Sequence, residues 1–512
     1  MWLQSGKLCN LAFSKIQQAK TFKYLYAMSE ISKLSPMEVW KNFDMICSYP
    51  HPSKHEEKIV AAVMDFAKEH GLESFRDEIG NVIIRKPATP GMENRKGVIL
   101  QAHLDMVPQK NNNVQHDFEK DPILPVIDGE WVRAKGTTLG ADNGMGVAAA
   151  LAILASKNLT HGPVEALLTV DEETGMTGAF GLKAGILNGD ILLNLDSETE
   201  GELYVGCAGG IDASATFPFK PEPACSEMDA FNVKVSGLKG GHSGMDIILG
   251  RGNANKIIFR CLKGLSEKFG MRLCRIEGGN MRNAIPREAD AEILLPKNRV
   301  QAAKEYMEQY YNTVKSELSQ VEPDFMMCMN PIGRPAEMMD LHGQTNLINA
   351  IYGCPNGVFR MSDSMPGLVE TSSNMAIVKS EKNTVSAHFL LRSSVDSAKM
   401  DLAEMLCSIM QLAGAEIEFS GAYPGWRPNM DSAILKLMQE VYQKLYGKEP
   451  AVMAIHAGLE CGLLGGVYPH WDMVSFGPTI QSPHSPDERV NIESVSRFWN
   501  FLVETLKHIP VK

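Results

Sequence analysis

The feature that most constrains the fold is a series of short apolar runs that alternate with helical stretches. The runs are Val82–Ile84, Val98–Leu100, Ala166–Val170 and Ile191–Leu195. A stretch with helical spacing, Gly144–Lys157, separates the second run from the third. Strands that are apolar throughout are buried on both faces, as in parallel sheets covered by helices. The alternation therefore predicts an α/β fold with a mostly parallel sheet.

Signals for helix starts precede these runs. Ser35 with Glu38, and Ser53 with Glu56, each match a capping box. In that motif the serine and the acid satisfy backbone N–H groups that the first helical turn leaves unpaired. We therefore expect two capped helices before the first strand of the sheet.

The middle of the chain has a different order of elements. Strand-like and helix-like segments alternate there twice, at Phe231–Val235, Asn253–Phe269, Arg272–Glu277, Ala289–Leu295 and Ala303–Leu318, then at Asn346–Tyr352, Ala376–Lys379, Thr384–Leu391 and Leu402–Leu412. The first pattern returns in the strand-like Met473–Phe476 and the helical Glu493–His508. We expect residues 211–421 to form an inserted domain of two related α+β modules. Residues 28–210 and 422–512 would form one discontinuous domain, and residues 1–27 an extension outside the fold.

Composition restricts the partners and the compartment. The formal net charge is −11, and nucleic acids and anionic membranes attract basic surfaces instead. No apolar run approaches the roughly 18 residues of a membrane span. The ten cysteines contain no CxxC pair, which in a chain of 512 residues indicates reduced thiols and a cytoplasmic location. We expect no nucleic-acid or membrane partner.

Acidic residues and histidines follow several of the apolar runs. They lie in five segments: His103-Leu104-Asp105, the Gly140–Gly144 turn with Asp142, Asp171-Glu172-Glu173, Asp196, and His484. Open α/β sheets bind ligands at the carboxyl ends of their strands. One pocket could thus collect two imidazoles and several carboxylates, a donor set that suits Zn²⁺, with Mn²⁺ or Co²⁺ as alternatives. Each segment alone is more typical of a capped or solvated loop, and their spacing leaves both readings open.

The same segments resemble, in order, the motifs of the M20 family of metallopeptidases. Further stretches resemble its branch of aminoacyl-histidine (Xaa-His) and cytosol non-specific dipeptidases. They are Gln101–Lys110, Gly240–Gly244, Arg282–Arg287 and His456–Gly462. The resemblance extends over about residues 28–512. It implies a zinc-peptidase-like catalytic domain interrupted by a lid or dimerisation domain, a homodimer, and two divalent metal ions.

The resemblance also implies a role for each residue of the predicted metal centre. One metal would be held by His103 and Asp196, and the other by Glu173 and His484. Asp142 would bridge the two, and the bond from Asp142 to Asn143 would be cis. Asp105 would orient His103, because a carboxylate on the far imidazole nitrogen fixes the tautomer. Glu172 would be the general base for a water held between the two ions.

Residues of the inserted region complete the implied site. His242 would donate to the oxyanion, with an incidental histidine in a surface turn as the alternative. Asn283 and Arg392 are candidates for binding the substrate carboxylate, since arginine forms bidentate pairs with carboxylates. For Arg392 a structural ion pair is an equally open alternative. His456 and Glu460 would line the substrate pocket, or simply build their glycine-rich loop.

The sequence therefore predicts a metal-dependent dipeptidase for dipeptides with a free C-terminal carboxylate, including Xaa-His types such as β-alanyl-histidine. A related hypothesis keeps the metals and changes the substrate, giving an aminoacylase, a deacylase or a carboxypeptidase. A hypothesis from another class is a non-catalytic metal-dependent binding protein. Glu172 separates the last from the others, because binding alone needs ligands and no general base.

Overall fold

The computed structural model describes residues 29–512, so the predicted extension at residues 1–27 lies outside the described residues. The chain forms two compact units. The first comprises the described residues up to Tyr204 with Asp431–Val452 and Val467–Lys512, and the second comprises Val205–Met430 and Met453–Gly466. By their contacts, residues 205–210, 422–430 and 453–466 belong to the second unit, whereas the sequence analysis assigned them to the first. No helix among residues 29–512 is long and apolar enough to span a membrane.

Most of an eight-stranded sheet lies in the first unit. In spatial order its strands are Glu73–Arg76, Val82–Lys86, Val164–Thr169, Val98–His103, Ile191–Asn194, Asp472–Ser475, Glu202–Cys207 and Ala451–Ile455. The third to the sixth of these are paired in parallel. The first and second, the second and third, and the sixth and seventh strands are paired antiparallel. The expected α/β class is confirmed, and the parallel pairing is limited to these four central strands.

Helices and a small second sheet complete the first unit. Its helices are Met37–Cys47, Glu57–Glu69, Ala141–Ala155, Glu172–Gly175, Thr177–Gly181, Ala433–Tyr446 and Ile492–His508. Its second sheet has the order Ile480–Gln481, Arg489–Asn491, Trp131–Ala134 and Pro125–Asp128. The central strands are buried along their whole length, including Val98–His103 and Val164–Thr169. Burial on both faces explains why these strands read as continuous apolar runs.

Both predicted capping boxes are wrong. Helix Met37–Cys47 begins after Pro36, and no side chain caps its first turn. Helix Glu57–Glu69 also lacks a side-chain cap. The hydroxyl of Ser53 instead donates to the carboxylate of Asp105 at 2.7 Å. A tertiary partner has replaced the local one that the motif predicts.

The second unit contains a nine-stranded antiparallel sheet. Eight strands follow one another as Met326–Pro331, Met228–Ser236, Ala289–Pro296, Arg272–Gly278, Val369–Ser380, Thr384–Ser393, Gly209–Pro218 and Glu416–Tyr423, and Gly357–Met361 pairs with the fifth. The helices are Ala254–Phe269, Val300–Glu317, Leu341–Gly353, Asp396–Leu412 and Glu460–Val467. The strands of both predicted modules join in this one sheet, through the pairing of Arg272–Gly278 with Val369–Ser380. Two short ribbons also form, Pro221–Pro223 with Glu337–Met339, and Gly241–His242 with Ala284–Ile285.

Candidate active site

Predicted ligands lie at or beyond the carboxyl ends of the four parallel strands of the first unit. His103 is the last residue of its strand, and Asp196 comes two residues after Asn194. The short helix that follows strand Val164–Thr169 begins at Glu172. His484 lies on the segment after strand Asp472–Ser475. Because the carboxyl ends of parallel strands meet at one edge of a sheet, distant parts of the chain converge here.

One histidine–carboxylate group is centred on His103. Its Nε2 atom lies 3.2 Å from Asp142 Oδ1 and 3.3 Å from Asp196 Oδ1. The His103 side chain is 1% exposed, so the group is closed to solvent on the histidine side. Potential ligand atoms of the three residues all lie within 4.8 Å of one another.

A second group is centred on His484. Its Nε2 atom lies 3.1 Å from Asp142 Oδ2 and 3.0 Å from Glu173 Oε2. The His484 side chain is 52% exposed, so this group opens to solvent. The two carboxylate oxygens of Asp142 are thus divided between the two histidines. Asp142 joins the groups, as a carboxylate that bridges two cations would.

The donor set fits divalent cations. Imidazole nitrogens and carboxylate oxygens together suit zinc and its neighbours in the first transition series. Among residues 29–512, the buried Oε1 atom of Glu173 has no hydrogen-bond partner. Hydrogen bonds to Asp142 and Glu173 raise the pKa of His484 to about 11. Burial opposes protonation of His103, but the charge of Asp196 raises its pKa well above the usual value. A cation binds neutral imidazole, so binding would release these protons.

Asp142 lies in a turn that other elements hold tightly. Gly140 has φ 73°, in the left-handed region that favours glycine, and the Asp142–Asn143 peptide is cis, as expected. The Asn143 side chain accepts a hydrogen bond from His103 N at 3.3 Å and donates to Leu195 O at 2.8 Å. A Cβ at Gly146 would lie 2.5 Å from Leu195 O. The turn is therefore fixed between the strand ends that carry His103 and Asp196.

Asp105 has two roles in this arrangement. The Nδ1 atom of His103 lies 3.0 Å from the backbone oxygen of Asp105 and 3.4 Å from its Oδ1. The same carboxylate accepts backbone hydrogen bonds from Glu172 at 2.9 Å and Glu173 at 3.2 Å, besides the bond from Ser53. Burial alone would raise the pKa of Asp105, but the bonds to His103 and these donors lower it to about 2. One carboxylate thus orients a predicted ligand and fixes the turn with the predicted base.

Carboxylates crowd the rest of the site. Burial, with repulsion from Asp142 and Asp196, raises the pKa of Glu198 to about 8. Burial also raises the pKa of Asp196 to about 6, against the attraction of His103. Such raised pKa values are typical of buried sites where carboxylates repel one another, and a bound cation would relieve this repulsion.

His242 belongs to the second unit, where it ends the short strand Gly241–His242. Its Nδ1 atom accepts backbone hydrogen bonds from Gly244 at 3.2 Å and Met245 at 3.1 Å. Burial and the positive charge of Arg392 lower its pKa, so the ring is neutral at neutral pH. A neutral ring that accepts at Nδ1 carries its hydrogen on Nε2. His242 can therefore donate a hydrogen bond without being charged.

Arg392 and His456 are both buried in the second unit, at 6% exposure each. Arg392 donates to the Tyr423 hydroxyl at 3.1 Å, and no carboxylate of residues 29–512 forms an ion pair with it. The structure thus gives no support to the alternative of a structural ion pair at Arg392 within residues 29–512. His456 Nε2 lies 2.7 Å from Ser372 Oγ. Burial, together with the charges of Arg392 and His242, lowers the pKa of His456 to about 3.

The last two candidates are placed differently. Glu460 is 1% exposed and begins helix Glu460–Val467. Asn283 is exposed, and its backbone oxygen accepts a hydrogen bond from Ser243 N at 2.8 Å. Asn283 thus supports the turn after His242 through its backbone.

Comparison with known proteins decides the family. A model of peptidase family M20/M25/M40 matches residues 99–508. The chain belongs to this family. It is 51% identical over 485 residues to the cytosol non-specific dipeptidase of Escherichia coli (strain K12), a match that covers 95% of this chain and 100% of the relative.

Solved structures agree with this assignment. The aminoacylhistidine dipeptidase of Vibrio alginolyticus is 54% identical, with a TM-score of 0.91 over 94% of this chain and 99% of that chain. The aminopeptidase PepT of Bacillus cereus ATCC 10987 is 16% identical, with a TM-score of 0.59 over 93% of this chain and 99% of that chain. The latter match shows the fold alone.

In this M20/M25/M40 peptidase, three further side chains hold the predicted ligands in place. The sequence predicts no role for them in the site. They are Ser53, Asn143 and Glu488. The sequence predicts a helix cap at Ser53 and a turn at Asn143. For Glu488 the one local signal is its position four residues after His484. Contacts between residues far apart in the chain do not show in local patterns.

Proposed function

We propose that the protein is a metal-dependent dipeptidase. Its substrates would be dipeptides with a free C-terminal carboxylate, including Xaa-His types such as β-alanyl-histidine. The observation that carries the proposal is the division of the Asp142 oxygens between His103 and His484. The names of the Escherichia coli and Vibrio relatives support the substrate class. The metals would be two zinc ions, with cobalt or manganese as alternatives.

The distances in the first unit support the following ligand groups. His103 and Asp196 would hold one ion, Glu173 and His484 the other, and Asp142 would bridge them. When bound, the two ions would polarise the substrate carbonyl and lower the pKa of the attacking water.

Glu172 would act as the general base. It lies next to Glu173 in the chain, and Asp105 fixes the backbone of both. Its carboxylate would take a proton from water as the water oxygen bonds to the carbonyl carbon. The same proton would pass to the amine nitrogen as the C–N bond breaks. A positioned acid–base group contributes roughly 10²–10⁴-fold to the rate.

Groups of the second unit would serve the substrate. His242 would donate from Nε2 to the developing oxyanion, and Arg392, which has no carboxylate partner within residues 29–512, would bind the substrate carboxylate. His456 and Glu460 would line the pocket, and Asn283 would contribute to carboxylate binding.

Domain roles, assembly and location form part of the same proposal. The second unit would be the lid and dimerisation domain, and the protein would be a cytoplasmic homodimer without nucleic-acid or membrane partners. The family resemblance supports the first two points. The name of the Escherichia coli relative supports the location.

The test combines metal analysis with a substrate panel. The panel contains β-alanyl-histidine, ordinary dipeptides, a tripeptide and N-acetyl amino acids, each assayed before and after chelation. We expect two bound metal ions, hydrolysis of the dipeptides, and loss of hydrolysis on chelation that zinc restores. Rapid cleavage of N-acetyl amino acids with inert dipeptides would show a deacylase instead. Two tightly bound ions with no hydrolysis of any substrate would show a binding protein.

A further inference from the structure

The carboxylate of Glu488 receives four consecutive backbone N–H groups. Its Oε2 atom accepts from Leu139 at 2.7 Å and Gly140 at 3.0 Å. Its Oε1 atom accepts from Ala141 at 2.7 Å and Asp142 at 3.2 Å. Glu488 is 2% exposed, so these bonds replace water around a buried carboxyl group.

These four N–H groups belong to the turn that carries Asp142. The first N–H groups of a helix have no partner within it, and no side chain of the turn itself caps helix Ala141–Ala155. Glu488 supplies the cap from a residue 346 positions beyond Asp142. Its carboxylate therefore determines where the backbone of Asp142 lies.

Glu488 also belongs to the segment that carries His484. The backbone N–H of Glu488 donates to Ser485 O at 2.9 Å, which closes a turn directly after His484. The segment thus contributes one predicted ligand and, four residues later, the anchor of another. A shift of the segment would move His484 and Asp142 together.

We propose that Glu488 is a positioning residue that holds Asp142 where its two oxygens can serve both cation sites. This inference rests on the proposed two-metal function. Groups that orient metal ligands typically change metal affinity by about 10–100-fold when they are replaced. A substitution at Glu488 should therefore change how long the metals stay bound, and not only how stable the protein is.

Glu165 provides a matched control. It is a buried glutamate of the same unit, 7% exposed, and it also accepts two backbone bonds, from Asn188 at 2.7 Å and Gly189 at 2.9 Å. None of its partners is a predicted ligand. Loss of a buried carboxylate that caps backbone should lower the unfolding temperature in both variants.

The experiment measures zinc release from the zinc-loaded full chain to a chromogenic chelator. We expect wild type to release two zinc ions per chain. In Glu488→Gln the side-chain NH2 group would replace an oxygen that accepts from two backbone N–H groups. This variant should therefore release both zinc ions about 10–100-fold faster than wild type. Glu165→Gln should release zinc at the wild-type rate. Glu488→Asp keeps the carboxyl group but is shorter by one methylene, so its rate should lie between those of wild type and Glu488→Gln.

The outcomes separate this inference from the proposed function. A wild-type protein that does not hold two zinc ions would contradict the two-metal function itself. Two zinc ions in wild type, with unchanged release from Glu488→Gln, would overturn the role of Glu488 alone. Equal acceleration in Glu165→Gln would also overturn it, because the effect would then be general loosening. If Glu488→Gln does not fold, the rate for Glu488→Asp decides.

Discussion

The two units of this peptidase hold their candidate residues in opposite ways. In the candidate site of the first unit, carboxylates outnumber histidines. The pKa values of Asp196 and Glu198 are raised because both groups are buried and lie near other carboxylates. In the second unit, burial and the positive charge of the buried Arg392 lower the pKa values of His242 and His456. The cation cluster, by which we mean His103, Asp142, Glu173, Asp196 and His484, has a donor set that suits cations. The positive charge of Arg392 in the second unit suits an anion. The difference teaches that the candidate residues of the two units are suited to ligands of opposite charge.

The sharpest test of the cation cluster is Glu172→Gln. The amide cannot accept a proton from water, so kcat should fall by roughly 10²–10⁴-fold. Both metals should stay bound, because the change keeps the size of the side chain and leaves the proposed ligands intact. The measurement pairs steady-state kinetics with metal analysis of the same sample. Normal turnover with two ions bound would reject Glu172 as the base.

The next largest effect tests whether the second unit contributes to chemistry. His242→Ala removes the proposed oxyanion donor, which typically costs about 10²–10³-fold in kcat. Zinc content and the rate of zinc release should match those of wild type, because His242 is not a proposed ligand. If zinc content fell as far as turnover, the separation between the two clusters would not hold.

A smaller effect is expected at Ser53, which supports the cation cluster indirectly. Ser53→Ala removes one of the bonds to the Asp105 carboxylate, and a hydrogen bond to a charged group contributes about 1.5–3 kcal/mol. We expect zinc affinity to fall by about tenfold, measured by competition with a chelator of known affinity. Ser32→Ala, another buried serine of the same unit, is the control. Equal affinity in wild type and Ser53→Ala would mean that Asp105 is held without this bond.

The smallest effect concerns the dependence of stability on pH. His456 has a pKa of about 3 in the folded protein, below the usual 6.5 of the unfolded chain. Its neutral form therefore contributes stability above about pH 6.5, and that stability is lost as the pH falls toward 3. Replacing His456 by Gln should make the fall in unfolding temperature between pH 7 and pH 5 smaller, by about 2 °C. Calorimetry at both pH values measures this difference. Identical slopes in the two proteins would show that His456 does not titrate as inferred.

Much of the first unit could be predicted because its strands and predicted ligands are recognisable from short stretches of sequence. The parallel strands are apolar along their length, and the predicted ligands lie at or beyond their carboxyl ends. His103 and Asp196 lie close together because their strands are parallel neighbours in the sheet. Boundaries were predicted less well, since Val164–Thr169 was expected at Ala166–Val170.

The residues that hold the ligands could not be predicted in the same way. Ser53 satisfies a helix-capping motif by sequence, yet its hydroxyl bonds to Asp105, 52 residues away. Glu488 acts on backbone atoms 346 to 349 residues before it. Such partners depend on how the whole chain folds, and no local pattern encodes them. The environment of Arg392 is another example, because its charge favours a carboxylate partner, whereas its side chain donates to the Tyr423 hydroxyl.

The close approach at Gly146 limits how this enzyme can be redesigned. Even a single added methyl group there would lie 2.5 Å from the carbonyl oxygen of Leu195, which directly precedes Asp196. A side chain at position 146 would therefore push helix Ala141–Ala155 against the backbone that leads into a proposed ligand. Mutant libraries for this protein should keep position 146 constant.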